Sequence, residues 1–244
     1  IYWMATEDHD FEEINYFNFK GKKIHWERAS NGAVGALSTE GLQAVFELFS
    51  LELGQTKSAN LLKQLFENAY LKHANLSDAT RFLANELFKE YGLVIIDAAD
   101  KDLKRLFIPF MENELINKTS FNAVSKTNEI INNLPSQSYS IQVNPRDINL
   151  FYLSENLRER ILFEEGVFSV VNTDITWTKE AILEEVHAHP ERFSPNVIMR
   201  PLYQEVILPN LCYIGGGGEL AYWLQLKDFF GAVNVPFPTL LLRN

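Results

Sequence analysis

The chain has 244 residues with 32 acidic against 22 basic side chains, a net charge of −10 at pH 7, and 46% hydrophobic residues. That size suits one α/β domain or slightly more with a sizeable core, and the acidic balance leaves no basic stripe to displace counterions from a nucleic-acid backbone. Cys212 is the single cysteine, which excludes an internal disulfide framework or thiolate metal cluster and fits a reducing, cytoplasmic setting. No run of about 18 apolar residues marks a membrane span, and no signal peptide is read. The chain opens inside a strand without an initiator methionine and closes inside or just after another, so a fragment of a longer protein is expected.

In chain order, Ile1 to Ala5 reads as an apolar strand, with Thr6 as N-cap of a helix whose first turn carries Glu7, Asp8 and Asp10. Lys20-Gly21 between alternating flanks predicts a short hairpin over Lys20 to Glu27, followed by a flexible stretch from Asn31 to Gly35. From Ser38 the period becomes helical, with Ser38-Thr39-Glu40 as N-cap, and helix continues through Tyr91 to a stop at Gly92. Leu93 to Ala99, a continuous apolar run ending in Asp97, reads as a central parallel strand buried on both faces. Helix is expected again from about Asp102 to Asn133, then a turn at Leu134–Ser138, a strand at Tyr139–Val143 and a turn at 145–147. Leu150–Leu153 is a short strand, Val167–Val171 belongs to a β-meander, and Trp177–Val186 is a helix capped by Thr178. Pro190 to Pro195 is expected as an ordered loop, and Leu211–Ile214 as a short apolar strand. The alternation of strands and helices predicts an α/β fold around a parallel sheet.

The densest chemistry lies in residues 195–223. Gly215, Gly216, Gly217 and Gly218 follow a strand and precede Glu219-Leu-Ala-Tyr-Trp223, which has helical spacing. Four glycines there permit positive φ and close approach of a ligand to backbone N–H groups at a helix N-terminus. No Gly-Lys-Ser/Thr follows, so this is not a P-loop, and the spacing is not a dinucleotide fingerprint. Arg200 and Glu205 flank the same strand and need partners or ligands there. His9, between Asp8 and Asp10, forms a second cluster with proton-transfer chemistry. His187 and His189 with Glu184 and Glu185 match no standard ligand spacing, so they read as a helix end complementing the dipole and no metal is expected. Cys212, inside an apolar strand without a neighbouring base, reads as buried and structural.

Trp3-Met-Ala-Thr-Glu-Asp-His-Asp-Phe-Glu-Glu-Ile-Asn15, Arg200-Pro-Leu-Tyr-Gln-Glu205, Pro209 and Gly215 to Trp223 together resemble the bacillithiol synthase family of cysteine ligases. Gly217 stands where that family more usually has proline, which is expected to leave the loop more mobile. The resemblance implies a Rossmann-like, nucleotidyltransferase-like parallel-sheet core over residues 1–37 and 134–244. A helix-rich segment over 38–133 would include the connecting-peptide insertion. It implies that cysteine is joined to glucosaminyl malate through an amide bond, with ATP activating the carboxylate by adenylylation or phosphorylation as the hypothesis. It further implies a C-terminal coiled coil and a homodimer in the longer protein. On this reading Asp8, His9 or Asp10 is the general base. Arg200 and the glycines hold phosphate or carboxylate, Gln204, Glu205 and Glu219 belong to the substrate site, and Tyr222 or Trp223 stacks on a sugar or adenine face. A nucleotidyltransferase-like enzyme with another acceptor, and a non-catalytic scaffold of thiol synthesis, are the alternatives.

Overall fold

A computed structural model describes residues 1–135 and 139–243; most of the turn expected at Leu134–Ser138 lies outside the described residues, as does Asn244. The chain divides into two compact units, Ile1–Asp100 with Leu153–Arg158, and Lys101–Tyr152 with Glu159–Asn244. The helix-rich segment read over 38–133 is therefore shared between them.

In the first unit, β1 (Tyr2–Met4) leads to the short α1 (Phe11–Ile14) and the hairpin β2 (Tyr16–Phe19)–β3 (Lys22–His25). Lys20 and Gly21 both have positive φ, 49° and 77°, the two-residue turn whose twist matches paired strands. Three helices follow: α2 (Leu42–Leu53), α3 (Lys57–Phe66), which runs into a π-helical turn at Glu67–Leu71, and α4 (Leu76–Phe88). Thr56 Oγ1 accepts from Ala59 N to cap α3, and Asn75 Oδ1 accepts from Asp78 N to cap α4. α2 instead starts after Gly41 in the left-handed region, and Ser38, expected as a cap, forms a β-bridge with Asn75. Gly92, at φ 71°, closes the helical run as the sequence indicates. Phe11, Ile24, Trp26, Leu42 and Val45 form the core under the hairpin.

β4 (Ile95–Asp97) pairs in parallel with β1, Tyr2 opposite Ile95 and Met4 opposite Asp97. This corrects the expectation of a central strand. Among the described residues β4 has β1 as its one strand partner, and Val94 beside it is 56% exposed. Thr6 is not a helix cap either. Its hydroxyl donates to Asp97 across the strand pair, and the chain turns before α1 begins at Phe11. The stretch read as flexible is tied in place: Gly35 N donates to Thr6 O at 2.8 Å and Val34 N to Asp8 O at 2.7 Å.

In the second unit, α5 (Lys101–Asn117) and α6 (Thr119–Asn132) are separated by Lys118 at φ 49°. β5 (Leu150–Ser154), β6 (Leu157–Glu164), β7 (Val167–Val170), β8 (Thr176–Trp177) and β9 (Phe193–Pro195) make a five-stranded sheet in the order β8-β7-β6-β5-β9; the tip of the β5–β6 hairpin is the 153–158 segment of the first unit. The loop expected at Pro190–Pro195 thus contains a strand, antiparallel to β5. α7 (Lys179–Ala188) is capped by Thr178, as expected. Then come α8 (Met199–Ile207), β10 (Cys212–Gly215), α9 (Gly217–Ala232) and β11 (Thr239–Leu242), the last parallel to β10. The fold is α/β, with parallel pairing in β1–β4 and β10–β11 and the largest sheet antiparallel.

Two buried polar knots explain local departures from pattern. Gln225, fully buried, accepts from Gln142 N (2.8 Å) and Val143 N (3.2 Å) and donates to Val143 O (2.8 Å) and Asn128 Oδ1 (2.5 Å). Residues 139–143, expected as a strand, join no sheet among the described residues; the backbone of 142–143 is bonded by that side chain instead. Glu114 accepts from Ser120 Oγ (2.6 Å), Ser120 N (3.1 Å), Asn149 N (2.9 Å) and Asn149 Nδ2 (3.1 Å), fastening the α5–α6 junction to the start of β5. Each acceptor there has a donor, which is what makes burying the charge tolerable.

Candidate functional site

Functional groups gather beyond the carboxyl ends of the parallel strands in each unit, where open α/β sheets bind ligands.

In the first unit, the loop after β1 carries Asp8, His9 and Asp10 with side chains 55%, 57% and 56% exposed. It is fixed from below by Asp97, itself only 9% exposed, which accepts from the hydroxyls of Thr6 and Ser77 and from Ala99 N at 2.9 Å, and pairs with Arg81 at 3.3 Å. Gly35 packs so closely on Thr6 that a Cβ there would run into the threonine side chain. Asp8 Oδ1 accepts from His9 N at 2.7 Å. Arg158, from the hairpin tip assigned to this unit, places Nη1 3.1 Å from His9 Nδ1. A guanidinium can only donate; the same Nδ1 lies 3.3 Å from Asp8 Oδ1, and Nε2 lies 3.8 Å from Asp10 Oδ1. Burial pushes the Arg158 guanidinium below its ordinary value, while Asp8, Glu7 and Asp10 hold its charge in place. Among the described residues, Asp8, His9 and Asp10 are also a group whose ligand atoms lie within 4.8 Å of one another.

In the second unit, Gly215 to Gly218 depart from expectation. None of the four has positive φ. The chain passes from β10 straight into α9, with Gly216 as N-cap, and Glu219 reaches back to accept from Gly216 N at 2.7 Å. What the glycines provide is space. A Cβ on Gly215 would come within 2.8 Å of the Tyr213 ring, whereas Cβ atoms on Gly217 and Gly218 would meet nothing within 4 Å. The first N–H groups of α9 have no intrahelical partners. Gly217 is the first helical residue, where proline's fixed φ also fits; the N–H groups of Gly218 and Glu219 remain donors whichever residue stands at 217.

Two guanidinium groups lie beside this helix start. Arg243 N donates to Gly215 O at 2.8 Å, and its Nη2 would be 3.7 Å from a Cβ on Gly216. Arg200, on α8, donates to the Tyr222 hydroxyl at 2.8 Å. The Tyr213 hydroxyl donates to Glu219 at 3.3 Å; burial raises its pKa, Tyr222 and Glu219 raise it further, and Arg200 pulls it down. α8 itself is absent from the sequence reading; Pro201 lies in its first turn, where proline is tolerated.

Other expected residues fall elsewhere. Glu205 is 3% exposed and takes Asn210 N (2.8 Å) and Nδ2 (2.9 Å), so it holds the α8–β10 loop. Gln204 is half-buried on α8, its backbone carbonyl accepting from Leu208 N. Trp223 is fully buried and stacked on Tyr213 with centroids 4.3 Å apart, a core residue with no face for a ligand. Cys212, expected to be buried, is exposed: among the described residues β10 pairs with β11 alone, and Leu211 beside it is 94% exposed. Glu185 is taken by Tyr152 (2.7 Å) and Arg192 (2.8 Å), and His187 by Glu112 (2.8 Å).

Arg158, Asp97 and Arg243 were not singled out for the site. Asp97 left a trace, as the one charge closing an apolar run; Arg158 left none, since its partner His9 is 149 positions away in sequence.

The family described as bacillithiol biosynthesis BshC, N-terminal Rossmann-like domain, matches residues 1–244. A Flavobacterium johnsoniae protein named "Putative cysteine ligase BshC" is 65% identical over 244 residues, covering 100% of this chain and 45% of that protein. Proteins of the same name from Christiangramia forsetii and Shouchella clausii are 62% and 33% identical, again over 100% of this chain and 46% of each relative. The chain thus spans a little under half the length of the curated relatives it matches. With the family match running over all its residues, the chain belongs to the bacillithiol biosynthesis BshC family and corresponds to its Rossmann-like domain.

Proposed function

We propose that this chain is the Rossmann-like part of a ligase that joins the carboxyl group of cysteine to the amino group of glucosaminyl malate. The names of its relatives support cysteine ligation. The observation that carries the site is the α9 start, where a Cβ on Gly217 or Gly218 would meet nothing, with Arg243 beside Gly216 and Arg200 bonded to Tyr222 of the same helix. A carboxylate acylates an amine only after one of its oxygens becomes a leaving group, and ATP, when bound, would supply that activation. The open space over Gly217 and Gly218 fits a phosphate or carboxylate, held by the Gly218 and Glu219 N–H groups. Arg200 orients the same anion through its planar fork.

Proton removal belongs to the loop after β1. The attacking amine must shed a proton as its nitrogen bonds to the carboxyl carbon and the leaving group departs. Asp8 is engaged by the His9 N–H and His9 Nδ1 by Arg158, whereas the Asp10 carboxylate accepts no hydrogen bond among the described residues. Asp10 is our choice for the base, with His9 and Arg158 fixing its surroundings.

The test is mass spectrometry of products from the full-length parent protein given cysteine and glucosaminyl malate, with and without ATP. An ATP-dependent product of amide coupling is expected. Product without ATP would remove nucleotide activation, and no product from folded protein would favour a scaffold or a different acceptor.

A further inference from the structure

Asp78, Arg81, Phe82 and Asn85 stand at i, i+3, i+4 and i+7 on α4 and so share one helix face. Together with His73, Leu93 and Ile95 that face lines an open cleft of about 460 Å³ in the first unit, within the size range of small-molecule sites. Three of its polar groups are fixed on one side and free on the other. Arg81 pairs through Nη2 with Asp97 at 3.3 Å, while its Nη1 and Nε make no hydrogen bond among the described residues. Asp78 Oδ2 accepts from Asn75 Nδ2 at 2.9 Å, while Oδ1 accepts none among the described residues. His73 Nδ1 lies 3.0 Å from Asn68 O and 2.9 Å from Ala69 O. A carbonyl oxygen only accepts, so Nδ1 carries the ring proton, and in the neutral ring Nε2 keeps its lone pair. Asp78 and Arg81 form no ion pair with each other, which gives the cleft one acidic and one basic pole.

We propose that this cleft binds a free α-amino acid with an apolar side chain, its carboxylate on Arg81, its ammonium on Asp78, and its side chain against Phe82, Leu93 and Ile95. The charges decide the class. A guanidinium fork matches a carboxylate, and the unused oxygen of Asp78 takes an ammonium. A simple carboxylic acid would meet the Asp78 charge and a simple amine the Arg81 charge, whereas a zwitterion answers both poles. His73 Nε2 is a second acceptor for the ammonium, which has three protons to place. Phe82, Leu93 and Ile95 are half-buried, and an apolar side chain laid on them removes their remaining surface from water. None of these residues belongs to the ligation site proposed above, so this binding stands whether or not ligation does.

Isothermal titration calorimetry on the full-length parent protein, with L-phenylalanine as the probe, is expected to show saturable binding. N-acetyl-L-phenylalanine, which lacks the ammonium, and L-phenylalaninamide, which lacks the carboxylate, should each bind at least about tenfold more weakly, the contribution of one charge-assisted hydrogen bond. Glycine, which has no side chain to bury, should weaken by about as much. Asp78→Asn and Arg81→Gln should each weaken L-phenylalanine by a similar factor, and Asn85→Trp, which fills the cleft from an exposed position on α4, should abolish its binding. Arg200→Ala should leave it unchanged. The analogue series tests the proposal in the wild-type protein even if a variant fails to fold. No saturable binding of L-phenylalanine, equal affinity for either blocked analogue or for glycine, undiminished binding in a folded Asp78→Asn, Arg81→Gln or Asn85→Trp protein, or loss of binding in a folded Arg200→Ala protein would each overturn it.

Discussion

The loops that follow β1 and β10 start from the same place, the carboxyl end of a strand in a parallel pair, and solve opposite problems. The loop after β1 has a buried carboxylate beneath it: Asp97 gathers two hydroxyls, a backbone N–H and Arg81, and the charges it supports, Asp8 and Asp10, stay in solvent. The junction after β10 has almost no loop, only Gly216 before α9, and what marks it is the missing side chains of Gly217 and Gly218. One region presents negative groups on a polar scaffold; the other presents bare N–H donors beside two arginines. Chemically, the first suits proton transfer and the second suits an anion, which is how the proposed function uses them.

The largest effects should come from substitutions that remove each region's distinguishing group. In the full-length enzyme, Asp10→Asn is expected to lower kcat by about 10²- to 10⁴-fold with little change in KM, the range for a lost general base, and Asp8→Asn to cost less because Asp8 mainly orders its own loop. Arg200→Ala should instead raise KM strongly with kcat less affected and the melting temperature nearly unchanged. Steady-state kinetics on the three variants separates the roles; equal losses of kcat in all three would dissolve the comparison.

Next in size is the support beneath the first loop. Asp97→Ala leaves Thr6, Ser77 and Ala99 N without their acceptor and should cost about 2–4 kcal/mol, the scale of breaking a buried hydrogen-bond network. Gly35→Ala should cost about 1–3 kcal/mol by forcing its new methyl against Thr6. Urea unfolding measures both. By contrast, Gly218→Ala adds a methyl where nothing lies within 4 Å. It should leave the fold intact, or stabilise it by up to about 1 kcal/mol as a helix gains alanine for glycine, while weakening anion binding. Loss of activity with gain of stability would mark Gly218 as kept open for a ligand.

The two regions also differ in how much of them the sequence disclosed. The glycine run, the helix after it and the acidic cluster are contiguous, so their residues could be read together. The hairpin turn at Lys20-Gly21 and the Thr178 cap were equally local. What stayed hidden was long-range. Arg158 reaches His9 and Gln225 takes over the backbone of 142–143 through contacts 149 and 82–83 positions apart, which no local pattern encodes. Burial misled in both directions for a related reason: Cys212 sits in an apolar run yet lies exposed on a strand paired on one side, and Trp223 beside the glycines packs into the core.

The finest test concerns the electrostatics at the α9 start. Burial, with Tyr222 and Glu219, holds the Tyr213 pKa above its ordinary value, and Arg200 opposes that rise. A folded-state pKa above the unfolded one means that the stabilisation from keeping Tyr213 neutral is complete below about pH 10 and fades as pH climbs through the raised value. Tyr213→Phe should therefore flatten that part of the alkaline stability curve measured by urea unfolding. Arg200→Ala should move the Tyr213 titration higher still, observed by ¹³C-labelled tyrosine NMR, because the one opposing charge is gone. A downward shift would mean that Arg200 does not act on the tyrosine cluster beside the glycines. An Arg200→Ala loss of substrate affinity would then have to arise from direct contact alone, without the guanidinium being part of the field that α9 presents to an anion.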